Sequence, residues 1–173
     1  MKAIESHVVF EGKVFNVRQD TIERNGKLQR LDVVEHADSY TIIAQPTPTE
    51  VILVRQYRHA VGRDLWEFPA GMAEDGEDPK AGALRELREE TGYRAGRIRQ
   101  LHFTYMTPGF CSEGLYYFLA GDLTPGETQF DEDEDLETRT FSLEKALAML
   151  RGGEIVDAKT TVGLLLLDGL NRQ

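Results

Sequence analysis

Residues 71 to 93 read GMAEDGEDPKAGALRELREETGY, and this stretch predicts one short helix with a strongly acidic side. Asp78 followed by Pro79 indicates the helix start, because aspartate accepts free amide protons there and proline lacks an amide proton that would be left unpaired. Gly92 indicates the helix end, since glycine adopts the left-handed backbone that closes many helices. The stretch therefore predicts a helix between Asp78 and Gly92.

Three glutamates of this helix are candidates for chemistry. At about 100° per residue, Glu86, Glu89 and Glu90 fan over one arc, whereas Leu87 and Thr91 lie on roughly the other side. Three carboxylates within one turn repel one another unless a cation lies among them. Hard oxygen ligands of this kind favour Mg²⁺ or Mn²⁺ over zinc. The alternative interpretation is a solvated helix face with Glu and Arg pairs, as most such charge runs are.

The spacing G-x5-E-x7-R-E-L-x-E-E-x-G resembles the Nudix box, the signature of hydrolases that cleave nucleoside diphosphates linked to another moiety. Seven specified residues coincide by chance on the order of once in 10^8 windows. The flanking glycines fall in register with the charges, which favours a metal site over a solvated helix face. Tyr93 departs from the family pattern, which usually has an aliphatic residue there, and an aromatic ring at this position is expected to pack.

The resemblance implies a role for each residue of the motif. Glu86 and Glu90 would be direct metal ligands, joined by the carbonyl oxygen of Ala70. Glu89 would lie beside them, or be bridged to the metal through water, and would take part in catalysis. Glu77 and Arg85 would form a pair that holds the loop against the helix. The implied structural residues are Gly71, Glu77, Arg85 and Gly92.

Three further stretches resemble the ADP-ribose pyrophosphatase subfamily, namely RQYRHAVGRDLWEFPAG at 55–71, YMTPGFCSE at 105–113 and DEDEDLE at 131–137. Pro108 stands 15 positions beyond Tyr93, where this subfamily carries a proline. The resemblance implies Mg²⁺-dependent hydrolysis of ADP-ribose to AMP and ribose 5-phosphate, with Mn²⁺ as a substitute metal. Open alternatives are another substrate (GDP-mannose, NADH or flavin dinucleotide) and a nucleotide-sugar sensor without catalysis.

Four residues outside the helix are expected to meet the substrate. Arg55 and Arg58 would contact phosphate or ribose oxygens, because a guanidinium offers paired donors to phosphate. On a strand end, the same arginines are equally expected to form structural pairs with carboxylates. The resemblance implies that Glu113 lies near the pyrophosphate and that Pro108 lines the substrate site.

The acidic loop at 131–137 is expected to supply the general base. In similar enzymes a glutamate of this loop deprotonates the attacking water or helps to ligate a further metal. The D-E-x-E-D pattern makes Glu132 and Glu134 the candidates in this chain. Taken alone, such a run indicates only a solvated charged segment.

Composition limits the function classes that fit. The 173 residues carry a net charge of −10, which opposes binding to nucleic acid or anionic membranes. Phosphates would then be neutralised by a bound metal. Cys111 is the only cysteine, which favours a reducing compartment. The charged first residues do not form the apolar core of a signal peptide, and no apolar run approaches the roughly 20 residues that span a bilayer. We therefore expect a cytoplasmic protein with a small-molecule substrate.

The apolar pattern predicts an α/β fold, with a mixed sheet between helices and an antiparallel β region at the N-terminus. Short strands separated by Glu11-Gly12 and Asn25-Gly26 turns indicate a meander in the first part of the chain. Residues 1–45 are expected to form this β region, and residues 46–173 the Nudix domain. In the relatives that the chain resembles, the N-terminal strands cross to a partner subunit, which implies a homodimer.

Overall fold

The computed structural model describes residues 2–126, 128 and 136–172. The chain forms two compact units. The first comprises Met1–Ser39 and Phe103–Leu115, and the second comprises Tyr40–His102 and Tyr116–Gln173. The expected division of the chain into domains at residues 1–45 and 46–173 stays a prediction.

The first unit contains a three-stranded antiparallel sheet in the order β1-β2-β3. Its strands are β1 (Ala3–Glu11), β2 (Phe15–Arg24) and β3 (Lys27–His36). Asn25 and Gly26 both have positive φ, 55° and 73°, and join β2 to β3 in a two-residue hairpin turn. That turn chemistry sets the register of the long hairpin. The antiparallel N-terminal region predicted from the sequence is therefore confirmed.

The later part of this unit is attached to β3 by backbone hydrogen bonds. The Val34 amide donates to the Phe110 carbonyl at 2.7 Å, and the Ser112 amide donates to the Val34 carbonyl at 3.0 Å. Val34 and Cys111 thereby form a parallel bridge. Segments whose bridged residues lie 77 positions apart in sequence (111 − 34) thus complete one unit, which a local pattern does not reveal.

The second sheet is seven-stranded within the described residues, with the order β10-β5-β4-β9-β8, β6 paired with β5 and β7 paired with β4. Together with its helices it gives the predicted α/β fold with a mixed sheet. The strands are β4 (Ser39–Ala44), β5 (Glu50–Arg58), β6 (Arg63–Glu67), β7 (Ala70–Met72), β8 (Arg94–Tyr105), β9 (Gly114–Thr124) and β10 (Glu137–Ser142).

Three α helices cover the two faces of this sheet in the described part of the chain. They are α1 (Pro79–Thr91), α2 (Leu143–Gly152) and α3 (Ala158–Asn171). Side chains alternate between the faces of a strand, and β4 is buried along its whole length. Ile42 packs with α1 in one core, whereas its neighbour Ile43 packs with α2 and α3 in the other. None of the described helices has the length and apolar character that crossing a membrane requires.

Candidate active site

Helix α1 presents the acidic residues, and its ends are where the sequence places them. The Asp78 side chain accepts a hydrogen bond from the Ala81 amide at 3.0 Å, and Gly92 closes the helix with φ 74°. Leu87 is fully buried in the core, but Glu90 is also buried, with 3% of its surface exposed. Glu90 therefore lies toward the packed side of the helix, where a charged carboxylate requires partners.

The Arg85 guanidinium donates hydrogen bonds to three carboxylates. Its Nε and Nη2 donate to the two Glu77 oxygens at 3.0 and 3.1 Å. Its Nη1 donates to Glu86 at 2.7 Å and to Glu89 at 3.0 Å. The hydrogen bonds from Arg85 hold the pKa of Glu77 below its ordinary value. Arg85 thus joins the loop to the helix. Its positive charge also reduces the repulsion among the helix glutamates, from which the sequence predicted a bound cation.

The segment before α1 touches two of the helix glutamates. The Ala70 amide donates to Glu90 Oε2 at 3.0 Å. A Cβ atom at Gly71 would overlap the Glu86 carboxylate, so only glycine lets this carboxylate lie against the β7 backbone. Ala70 and Gly71 therefore lie beside Glu90 and Glu86, respectively.

Gly71→Ala is expected to leave the protein folded but to weaken metal binding and activity by about 10- to 100-fold. The backbone at Gly71 lies outside the left-handed region, so the added methyl acts only by displacing the Glu86 carboxylate. Steady-state rates measured across a Mg²⁺ titration test this expectation. Gly169→Ala is the matched control, because a Cβ at Gly169 meets open space. Equal metal dependence in the two variants would contradict the expectation.

The donor set fits a hard divalent cation. Within the described ranges, no group of three acidic, histidine or cysteine side chains is already arranged to hold a metal ion. Glu86 and Glu89 turn toward Arg85, which supplies a positive charge to both. The oxygen chemistry of Glu86, Glu89, Glu90 and the Ala70 carbonyl suits Mg²⁺ or Mn²⁺ and does not suit zinc.

Arg58 belongs to a largely buried ionic cluster. Its Nε and Nη2 donate to the two oxygens of Glu67 at 2.9 and 2.7 Å, and Lys159 contacts the same carboxylate. Only 1% of the Glu67 surface is exposed. Burial acts to raise the pKa of Glu67, but the Arg58 hydrogen bonds and the Lys159 charge outweigh burial and hold the pKa below its ordinary value.

The two candidate arginines extend from opposite faces of β5. Leu53 packs with α2 and α3 and Ile52 packs with α1, so alternation places Arg55 on the first of these faces and Arg58 on the second. The pKa of Arg58 is raised mainly by its hydrogen bonds to Glu67 and to a lesser extent by the negative charge of Glu90. Arg58 therefore lies within electrostatic reach of Glu90.

Arg55 pairs with carboxylates at the protein surface. Its Nη2 lies 2.8 Å from Asp64, and its Nη1 lies 3.6 Å from Glu137. Both arginines of the RQYR stretch thus form the structural pairs that the sequence left as an alternative. Their contact with substrate stays a prediction.

Two predicted substrate residues lie in the first unit. Glu113 accepts a hydrogen bond from the Ser39 hydroxyl at 2.9 Å, and its carboxylate lies 4.0 Å from His36 Nδ1. Pro108 is exposed in a turn in which the Cys111 amide donates to the Thr107 carbonyl at 2.9 Å. The candidate bases Glu132 and Glu134 lie outside the described residues.

The partners of Arg58 are not apparent from the amino-acid sequence alone. Glu67 stands in the apolar stretch LWEFPA, and a lone charge among such residues is a signal for a buried ion pair. Lys159 and Thr160 lie 92 residues further along the chain than Glu67 and Phe68, which they contact. No local pattern links those positions.

Aromatic residues divide between core and surface. Phe68 and Tyr117 are buried, and Tyr93 packs against the core beside α1, as predicted. Tyr57 and Phe110 are exposed.

Comparison with known proteins relates this geometry to a family. The NUDIX domain model matches residues 35–161. An ADP-ribose pyrophosphatase of Bacillus subtilis (strain 168) is 37% identical over 169 residues, covering 96% of this chain and 91% of that protein. A GDP-mannose pyrophosphatase of Salmonella arizonae is 36% identical over 168 residues, covering 90% and 86%.

Structural comparison gives the same fold. A crystal structure of an ADP compounds hydrolase superposes with a TM-score of 0.88 at 23% identity, covering 99% of this chain and 94% of that chain. Together with the family match and the motif on α1, these similarities confirm the resemblance read from the sequence. The chain belongs to the Nudix family of hydrolases, in its ADP-ribose pyrophosphatase subfamily.

Proposed function

We propose that this Nudix hydrolase cleaves the pyrophosphate bond of ADP-ribose to give AMP and ribose 5-phosphate. The observation that carries the proposal is the cluster on α1, where Glu86 lies against Gly71 and the buried Glu90 accepts the Ala70 amide. A relative named ADP-ribose pyrophosphatase, similar over nearly the whole chain, supports ADP-ribose as the substrate.

Four residues of this cluster would hold Mg²⁺, or Mn²⁺ in its place: Ala70 through its carbonyl, Glu86, Glu89 and Glu90. When bound, the ion would neutralise charge on the phosphate oxygens. The protein positions these ligands through the Arg85 hydrogen bonds and the burial of Glu90. Gly71, Glu77, Arg85 and Gly92 would act by holding the loop and helix in place.

Arg58 is the better placed of the two arginines for a substrate phosphate. It shares its face of the sheet with α1, its charge interacts with that of Glu90, and 40% of its side chain is exposed. Among the described residues, Glu67 accepts from Nε and Nη2 and none accepts from Nη1, which would donate to a phosphate oxygen. Arg55, Pro108 and Glu113 stay as proposed substrate contacts.

Glu132 and Glu134 are the proposed bases that take the proton of the attacking water. A carboxylate does this when it lies within hydrogen-bond reach of the water in the substrate complex. The variants Glu132→Gln and Glu134→Gln, alone and combined, assign the role through kcat. Full turnover in all three would remove the loop from the mechanism.

Another nucleoside diphosphate derivative is the second candidate substrate. The relative named GDP-mannose pyrophosphatase is nearly as similar to this chain, so the shared motif does not discriminate between the two sugars. Base and sugar are selected by pocket contacts rather than by the metal site. Values of kcat/KM for ADP-ribose, GDP-mannose, NADH and flavin dinucleotide decide between them.

Product analysis after hydrolysis in ¹⁸O water tests substrate and reaction together. With ADP-ribose we expect AMP and ribose 5-phosphate, and the product that carries ¹⁸O identifies the phosphorus attacked by water. Intact ADP-ribose after prolonged incubation with Mg²⁺ and Mn²⁺, together with measurable binding, would instead support the sensor alternative. Rapid cleavage of GDP-mannose alone would support the second substrate.

We also propose a cytoplasmic homodimer. The single cysteine suits a reducing compartment. The first unit exposes apolar side chains along all three of its strands, and exposed apolar surface is a feature of protein–protein contact sites. Sedimentation equilibrium is expected to give twice the mass of one chain. The exposed apolar residues on these three strands are Ile4, Val8, Val9, Phe10, Phe15, Leu28 and Leu31.

A further inference from the structure

Each residue of the segment from Glu67 to Gly71 makes a contact that restrains the segment. Beyond the Glu67 salt bridges, the Phe68 amide donates to Thr160 Oγ1 at 2.9 Å, and the Ile42 amide donates to the Pro69 carbonyl at 2.8 Å. The Ala70 amide bonds Glu90, and Gly71 abuts Glu86. The position of the two glutamates relative to the Ala70 carbonyl therefore depends on what fixes this segment.

The first turn of α3 provides much of that fixation. Asp157 caps the helix, with one carboxylate oxygen accepting the Thr160 amide at 2.8 Å and the Thr160 hydroxyl at 2.6 Å. Lys159 contacts both Asp157, at 3.0 Å, and Glu67. A Cβ at Gly163 would come within 2.9 Å of the Phe68 ring, so α3 packs directly against the segment.

The Thr160 hydroxyl acts as a directional link. A hydroxyl has one proton to donate and lone pairs that accept. Because its proton is given to Asp157, a lone pair is left to accept the Phe68 amide. Thr160 is fully buried, so water does not replace either bond without rearrangement. The helix cap of α3 thus fixes the backbone two residues before Ala70.

We propose that Thr160 and Lys159 are positioning residues for the proposed metal site, because they hold the Glu67–Gly71 segment in register with Glu86 and Glu90. Neither side chain would touch the metal or the substrate. The inference rests on the proposed function for its metal readout, but its structural readout at the Ala70 amide does not require any substrate.

Hydrogen exchange at the Ala70 amide is the first test. Thr160→Val removes the hydroxyl at nearly constant volume, whereas Thr160→Ser keeps it. We expect exchange at Ala70 to rise at least about fivefold in the valine variant, because the buried Phe68 amide loses its hydrogen-bond acceptor. The serine variant is expected to restore protection. Amides of β9 serve as the internal reference for global opening, whereas the Ile42 amide of β4 donates to Pro69 and belongs to the tested segment.

Metal binding is the second test. Calorimetric titration with Mn²⁺ is expected to show affinity weakened about 10- to 100-fold in Thr160→Val, as for other groups that orient a metal ligand. The Mg²⁺ concentration for half-maximal rate should rise in parallel. KM for ADP-ribose at saturating Mg²⁺ should stay within about twofold, because substrate contacts are not altered.

Lys159→Met keeps the proposal testable if the valine variant does not fold. Lys159→Met is expected to raise hydrogen exchange at Ala70 and to weaken Mn²⁺ binding. Lys159→Arg is expected to keep most of the Ala70 protection and most of the Mn²⁺ affinity. Lys145→Met is the matched control, an exposed lysine in the first turn of α2. A fall in thermal stability with unchanged Ala70 protection and unchanged Mn²⁺ affinity would overturn the proposal. If the wild-type protein cleaves neither ADP-ribose nor another nucleoside diphosphate derivative, the exchange result still stands.

Discussion

Glu90→Gln is expected to lower kcat more than about 100-fold while leaving the fold intact. Loss of a group that only orients a metal ligand lowers metal affinity or activity by about 10- to 100-fold. Loss of a ligand itself should lower activity further. Glutamine keeps the volume of the buried side chain, and its carbonyl oxygen still accepts the Ala70 amide. The neutral amide, however, is a poor ligand for Mg²⁺. Steady-state rates and Mn²⁺ titration measure the loss, and circular dichroism checks the fold.

Glu144→Gln provides the control for this prediction. Glu144 lies in the first turn of α2 and is exposed, so its replacement removes one carboxylate charge away from the proposed site. It should show wild-type turnover. If Glu90→Gln also kept wild-type turnover and bound Mn²⁺ as tightly, Glu90 would not be a metal ligand. A misfolded Glu90→Gln protein, detected by its spectrum, would point to a purely structural carboxylate.

Glu67→Gln is expected to lower the free energy of unfolding by about 3 kcal/mol at neutral pH. Removing one partner of a buried ion pair leaves the remaining charges uncompensated, and such losses are about 3 to 5 kcal/mol. Arg58 and Lys159 would both lose a counter-charge. We place the effect at the lower end of the range because the Arg58 side chain is partly exposed. Urea denaturation measures it.

Asp64→Asn tests whether burial is the cause. Asp64 lies on the same strand and pairs with Arg55, but both side chains are exposed. The variant should lose less than about 1 kcal/mol, which is the usual value of a surface pair. Equal losses for the two variants would show that burial of Glu67 does not matter.

The Glu67 contribution should depend on pH in a defined direction. The folded-state pKa of Glu67 lies below its ordinary value of 4.5, so its stabilising effect is complete above that pH. The effect should disappear as the pH falls through the lower folded-state pKa. The difference in unfolding free energy between wild type and Glu67→Gln should therefore shrink below about pH 4.5. A difference that grows on acidification would contradict the assignment.

Local patterns in the sequence predicted the elements that carry the site. Asp78, Pro79 and Gly92 fixed the ends of α1, because capping depends on residues within one turn of the helix end. The Asn25-Gly26 turn predicted the hairpin in the same way, since only a few residue pairs tolerate two positive φ angles. The motif spacing likewise predicted that Glu86, Glu89 and Glu90 share one region of α1.

Tertiary structure decided what those side chains contact. Arg55 and Arg58 look alike in the RQYR stretch, and only the packing of β5 shows that they lie on opposite faces. The motif predicts that Glu90 lies with Glu86 and Glu89, but packing buries Glu90 against the Ala70 amide. These outcomes depend on contacts between elements, which have no signature within a single window of sequence.

The amino-acid sequence by itself determined the family, the α/β class, the ends of α1 and the residues proposed to bind metal. It did so because turn, cap and motif preferences act over a few neighbouring residues. The link from Thr160 and Lys159 to Phe68 and Glu67 was decided only by the tertiary structure. It spans 92 positions of the chain, and only the packing of α3 against the sheet brings those side chains within hydrogen-bonding distance.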